Sequence, residues 1–187
     1  MNHEGHEGLK NGEPKMNKGY VQVYTGDGKC KTTAALGLAV RAVGAGLRVY
    51  FGQFIKGCDY SEIKVLRERF PEVKVEQYGS GRFVRGTPPV EEVALAMKGL
   101  EALREAMRSG KYDVVIADEA NTAVGVGLFT EADLLALMDA KPESVELVLT
   151  GRGAGKRVCE RADLVTEMKC GKHYYDAGVH GRPGIEL

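Results

Sequence analysis

The chain contains no tryptophan, has four cysteines, and carries no net charge across its 187 residues. With 26 Lys and Arg against 26 Asp and Glu, no overall basic field draws it to nucleic acid or to an acidic membrane. Any anion it binds is therefore held locally. No apolar run reaches membrane-spanning length. The opening stretch "MNHEGHEGLKNGEPKMNK" also lacks the apolar core of a signal peptide, so a cytoplasmic protein with no membrane partner is expected. Cys30, Cys58, Cys159 and Cys170 form no Cys-x-x-Cys pair and suggest no disulfide framework, which leaves them as reduced thiols. The length suits one sizeable core and forces no second domain. Residues 1–18 are polar and glycine-rich and read as a mobile arm in front of a single domain over 19–187.

Within that domain, strand-like runs alternate with helix-like ones. Strands are expected at 20–24, 48–55, 73–78, 112–118, 145–151 and 162–168. Most are β-branched and several are apolar on both faces, which fits strands covered by helices on two sides. Helices are expected at 31–43, 61–70, 90–107, 131–139 and 156–161. In the third, Val93, Met97, Leu100, Leu103 and Met107 recur at spacings of three and four and form one apolar stripe. The first, "KTTAALGLAVRAV", has so few polar positions that it belongs inside the domain. The alternation predicts a three-layer α/β/α domain on a mostly parallel sheet, the P-loop NTPase-like (RecA-like) class.

Between the first strand and the first helix lies "YTGDGKCKTT", Tyr24 to Thr33. The usual phosphate loop has a glycine, four free positions and Gly-Lys-Ser/Thr. Here Cys30 stands where the last glycine belongs and Thr25 where the first does. The strand–loop–helix setting is nevertheless the one a phosphate loop requires. Gly26 and Gly28 supply permissive backbone, Lys29 and Lys31 supply ammonium groups, and Thr32 and Thr33 place hydroxyls where helix N–H groups favour an anion or phosphate-bound Mg²⁺. A negative-φ conformation with its small side chain turned away is expected to accommodate Cys30. Further on, "DVVIADEAN" ends a strand with Asp118 and Glu119, carboxylates that the C-terminal edge of a parallel sheet would bring beside the loop to hold Mg²⁺ directly or through water. Arg152 in "TGRG" follows a strand at the same edge and can reach phosphate or ribose with its planar fork. Lys56 in "QFIKG" reads as a solvated lysine. Cys170, His173 and His180 make a poor zinc set.

The run "TGDGKCKTTAALGLAVRAVGAGLRVYFGQFIKG", followed in order by "YGSGRFVRG", "YDVVIADEAN", "LVLTGRG", "ADLVTEM" and "GKHYYDAGVHGRPGIE", resembles the corrinoid adenosyltransferases of the P-loop type. The resemblance extends over about residues 20 to 187. In that family the loop reads Thr-Gly-x-Gly-Lys-Gly-Lys-Thr-Thr, so Cys30 is its one departure. The resemblance implies transfer of the adenosyl group of ATP to the cobalt of cobalamin or a precursor corrinoid, with release of triphosphate. It implies ATP contacts from Thr25, Gly26, Asp27, Gly28, Lys29, Cys30, Lys31, Thr32, Thr33 and Arg152, with Lys29 and Lys31 stabilising the leaving group. It further implies Mg²⁺ on Thr32, Asp118 and Glu119, an electron-donor protein for cobalt, and a homodimer. The family removes cobalt's lower axial ligand with apolar or aromatic side chains. In the Gly- and Pro-rich loop 79–89 of this tryptophan-free chain, that role falls to Phe83, helped by Val84. Lys172 and His173 match the family's tail and are expected to order the pocket or the fold.

Two other classes share these features. A RecA-like switch would hydrolyse ATP to ADP and phosphate while acting on a macromolecule, although zero net charge and no basic stripe count against a nucleic-acid motor. A carrier would bind the same two ligands and hand the product on.

Overall fold

The computed structural model describes residues 16–58, 60–82 and 86–186. Six strands, β1 (Val21–Thr25), β2 (Val49–Phe54), β3 (Val73–Tyr78), β4 (Val114–Asp118), β5 (Glu146–Thr150) and β6 (Leu164–Glu167), form one sheet in the order β3-β2-β4-β5-β1-β6. Every neighbouring pair is parallel. β2, β4 and β5 are buried along their whole length, whereas the edge strand β6 is exposed throughout. This is the pattern of a sheet covered on both sides and open at one edge.

Six helices cover it: α1 (Lys31–Gly44), α2 (Ser61–Arg69), α3 (Val90–Arg108), α4 (Ala120–Gly125), α5 (Glu131–Asp139) and α6 (Lys156–Arg161). Pleating sends alternate strand residues to opposite faces. Val115 and Ala117 of β4 accordingly join Leu100 and Leu103 of α3 and Leu134 of α5 in one core. Val114 and Ile116 join Ala35 and Ala39 of α1 and Ile63 and Leu66 of α2 in the other. The result is the three-layer, RecA-like α/β/α domain that the alternation predicts. Because all strands are parallel, the loops after β1, β2, β4 and β5 leave the sheet at the same edge, where such sheets bind ligands.

Two packing expectations need correction. α1 is not interior: it turns Lys31, Ala35, Ala39 and Ala42 to the sheet and leaves Val40 48% exposed, because small alanines seat the helix closely while its outer side meets solvent. On α3, Leu100, Leu103 and Met107 are buried as expected, but Met97 is 44% exposed and Ala96 takes the inward place. Residues 1–15 of the expected arm, and Phe83 and Val84 of the expected corrinoid floor, lie outside the described residues. Among the described residues no helix is long and apolar enough to cross a membrane.

Candidate active site

A cavity of about 840 Å³ opens at the C-terminal edge of the sheet. One wall is the loop and helix start Gly28–Thr33; others are Ile55 and Lys56 after β2, Glu119 after β4 and Arg152 after β5. Leu36, Val65 and Ile185 give it an apolar margin. Thr25, Gly26 and Asp27, expected among the ATP contacts, do not line it. Thr25 is buried at the end of β1, and its hydroxyl accepts the Ala154 N–H at 3.1 Å, which ties the loop after β1 to the segment after β5.

The loop's glycines answer to a neighbour as much as to a ligand. A Cβ on Gly26, whose φ is +96°, would stand 2.5 Å from the carbonyl oxygen of Met168, and one on Gly28 would stand 2.6 Å from the same atom. The loop thus lies directly on the chain leaving β6, and the Gly28 N–H donates to Met168 at 2.7 Å. Lys31 folds back over the loop, donating to the carbonyls of Gly26 at 2.7 Å and Gly28 at 2.6 Å. Burial, and then the positive charge of Arg152, hold its ammonium below the usual lysine range. Lys31 is therefore a largely desolvated cation whose hydrogen bonds go to carbonyl dipoles, with the Glu119 and Asp27 carboxylates near enough to favour its charge, and it is poised to prefer a directly bonded anion.

Cys30 departs from expectation. Its φ is +92° and ψ 0°, the left-handed region and not a negative-φ conformation. The turn into α1 demands the glycine geometry, and cysteine adopts it at a cost. Only two other described non-glycine residues have positive φ, Ile55 (66°) and Glu119 (59°), and both line the same cavity. Strained backbone gathers at this one site, as it does where function over-determines conformation.

The two candidate carboxylates separate. Asp118 has no exposure, and its oxygens accept from the Thr150 hydroxyl at 2.7 Å and the Gln53 amide at 2.9 Å. It does not line the cavity. Glu119 does, with its backbone N–H donating to Thr150 Oγ1 at 2.9 Å and its carboxylate accepting from Thr122 at 2.5 Å. No group of three or more His, Cys, Asp or Glu side chains able to hold a metal occurs among the described residues. A magnesium site does not need one, because Mg²⁺ keeps several waters and takes one or two protein oxygens plus phosphates. Glu119 and the Thr32 hydroxyl, both on the cavity wall, fit that donor set.

Three features were not readable from the sequence. Lys56, expected in solvent, lies 3.9 Å from Asp118 and 5.4 Å over the Tyr60 ring, facing the cavity. Arg152 is tied by its backbone N–H to Thr122 Oγ1 at 3.0 Å. The tail returns to the loop: His173, expected to order the pocket or the fold, lines the cavity while Lys172 does not, and Gly184–Glu186, for which nothing was foreseen, line it too, with Lys29 donating to Glu186 at 2.9 Å. Hydrogen bonds to Tyr174 and then Glu186 raise the Lys29 ammonium above its ordinary range.

A model of the ATP:corrinoid adenosyltransferase family BtuR/CobO/CobP matches residues 17–187. The chain belongs to this family. It is 33% identical over 171 residues to the corrinoid adenosyltransferase of Pseudomonas aeruginosa, covering 91% of this chain and 84% of that one. It is 34% identical over 173 residues to the corrinoid adenosyltransferase of a Sinorhizobium species, covering 91% and 81%. The corrinoid adenosyltransferase CobA of Salmonella typhimurium is 33% identical over 171 residues, covering 90% and 86%. The flagellar accessory protein FlaH of Methanocaldococcus jannaschii shares the fold, with a TM-score of 0.57 at 11% identity over 81% of this chain and 72% of that one. Within the family's sequence pattern, the loop and the tail lie far apart; in space they face each other across this cavity.

Proposed function

We propose that the chain transfers the 5′-deoxyadenosyl group of ATP to the Co(I) centre of cobalamin or a precursor corrinoid and releases triphosphate. The observation that carries this reading is one cavity combining a phosphate loop, Lys31, Arg152 and Glu119 with an apolar margin of Leu36, Val65 and Ile185. Such a space suits a ligand with a highly charged end and a flat organic remainder.

The cobalt is the nucleophile and attacks the ribose 5′ carbon; the C5′–O bond breaks and its electron pair leaves with the triphosphate. No protein base is needed. The chain's task is to position the two reactants and stabilise charge on the leaving group. Lys31 would exchange the carbonyls of Gly26 and Gly28 for phosphate oxygens, a change that costs little geometry because the ammonium already sits in the loop's mouth. The loop amides, Thr33, Arg152 and, once released from the tail, Lys29 complete the anion site. Thr32 and Glu119 would hold Mg²⁺, which supplies further positive charge to the triphosphate when bound. Asp118, bonded inside the sheet edge, would act by orienting its neighbours. Phe83 and Val84 would supply the apolar floor under the corrinoid.

The need for Co(I) supports an electron-donor protein as partner, and dependence on ATP supports a cytoplasmic location. A homodimer, which the family resemblance implies, belongs to the same reading. Incubation with ATP, Mg²⁺ and reduced cobalamin tests the reading. Triphosphate and adenosylcobalamin in equal amounts are expected; ADP and phosphate without alkylated cobalt would instead make the chain a hydrolytic switch.

A further inference from the structure

Lys29 has no donor left for a ligand. Its ammonium gives hydrogen bonds to Tyr174 Oη at 3.0 Å, the Ile185 carbonyl at 3.0 Å and Glu186 Oε1 at 2.9 Å, one acceptor for each N–H. All three acceptors belong to the tail. Glu186 is enclosed in turn. Arg182 donates to it from its backbone N at 2.9 Å, Nε at 3.3 Å and Nη2 at 3.2 Å, and the Tyr174 hydroxyl donates as well. The Arg182 guanidinium also lies 4.9 Å over the Tyr174 ring. Arg182 above all, then Tyr174 and Lys29, hold this carboxyl far below the usual carboxylate range. A charged carboxylate is thus gripped by converging donors as an anionic ligand would be, on the wall of the cavity and against the phosphate loop.

We propose that Glu186 is a resident anion that competes with triphosphate for Lys29, so that the segment 173–186 yields Lys29 when ATP binds and recaptures it as triphosphate leaves. This rests on the function proposed above. Three donors cannot serve the tail and a phosphate oxygen together. A carboxylate on the wall also repels a polyanion placed well within a Debye length, about 8–10 Å in ordinary salt. Recapture would give product release an internal competitor at a fixed, high effective concentration.

The test is calorimetric titration of inorganic triphosphate into the full chain and into Glu186→Gln, Lys29→Ala and the double variant, with hydrogen exchange followed over 174–186. Glutamine keeps an oxygen for Tyr174 and Arg182 but loses the charge. Glu186→Gln should bind triphosphate about three- to tenfold more tightly, and this gain should vanish when Lys29 is already alanine. In the unmodified chain, saturating triphosphate should speed exchange at Gly178, Val179, Ile185 and Glu186, whose amides are hydrogen-bonded within the tail. Unchanged or weaker binding by Glu186→Gln, or a tail that becomes more protected, overturns the proposal. If the unmodified chain binds neither ATP nor triphosphate, the phosphate-site reading falls with it; if it binds both and Glu186→Gln is indistinguishable, only the role of Glu186 falls.

Discussion

Replacing Cys30 with glycine should stabilise the protein, and the amount can be worked out from the turn. At φ +92° and ψ 0° the cysteine Cβ is held in the left-handed region, where an L-residue loses roughly 1–2 kcal/mol. Glycine removes that cost but gives back about 0.5–1 kcal/mol through the greater freedom of the unfolded chain. The centres of the two ranges leave a net gain of about 0.75 kcal/mol. Nothing else is lost, because Cys30 is exposed, its side chain makes no cap hydrogen bond, and its carbonyl still accepts the Ala34 N–H at 2.8 Å. For a domain of this size the gain corresponds to a rise in Tm of about 1–4 °C. Urea denaturation and a thermal melt of the unliganded chain measure it, and ATP titration should show equal or modestly tighter binding. A lower Tm, or ATP affinity weakened several-fold, would refute the reasoning, since either result would mean that the thiol makes a favourable contact.

Lys31→Ala should leave a folded protein that has nearly lost adenosylation, and wild-type turnover in that variant would sink the phosphate assignment. Phe83→Ala should slow transfer to a corrinoid carrying a lower axial ligand more than to one without; equal losses, compared by single-turnover absorbance, would reduce Phe83 to packing. Saturating Mg-ATP should protect Cys30 from alkylation, followed by peptide mass spectrometry, while Cys159, whose thiol is pushed up by burial, should react slowly with or without ligand. Burial, then hydrogen bonds to Tyr78 and Glu76 for Tyr50 and to Glu76 for Tyr78, raises both phenols above the ordinary 10.0. Their stabilisation is complete below pH 10 and lost as pH climbs from there toward the folded values, so stability should fall steeply in that range. The Tyr50→Phe/Tyr78→Phe double variant should flatten the fall in alkaline urea titrations; Lys31 and Lys141, lowered mainly by burial and therefore opposite in sign, are present in both proteins and cancel from the comparison, so an unchanged slope would refute the assignment.

Much of the fold was legible because its signals are local. The bounds of α5 fell at the expected residues, 131–139, and the structure adds the reason for its sharp start, a capping box between Thr130 and Asp133. β4 begins at Val114, two residues after the expected start, although the Asp113 backbone beside it still pairs with Arg48 and Glu146. α4 went unforeseen: it has no side-chain cap and follows Glu119 in the left-handed region, a geometry no propensity announces for glutamate. Lys31, Glu119 and Arg152 were brought to one cavity as their motifs suggested. The contacts that define the site's other side were invisible, since Lys29 meets Glu186 across 157 positions and nothing local in either segment encodes the meeting. The strain at Ile55 was hidden for the opposite reason, because a β-branched residue is the last choice for positive φ.

A reaction that asks the protein for no base places its whole demand on fixed geometry, and the row of polar side chains under the cavity meets that demand. The Gln77 amide donates to the Cys58 carbonyl at 3.0 Å and to Gln53 at 2.9 Å; Gln53 donates to Asp118, and Asp118 accepts from Thr150. Because the Thr150 hydroxyl spends its proton on Asp118, its lone pairs are turned to the backbone N–H of Glu119, and that bond helps hold Glu119 in its strained conformation. Gln53, Asp118 and Thr150 are all fully buried, so each link runs in a low dielectric where an unmade bond is expensive and the arrangement resists alternatives. The row crosses β3, β2, β4 and β5 in sheet order and joins the loop carrying Lys56 and Cys58 to Glu119 on the cavity wall. Asp118, which accepts from both neighbours, sets the direction of the chain of donors, and its substitution by asparagine would be felt at Glu119 on one side and at Lys56, 3.9 Å away, on the other.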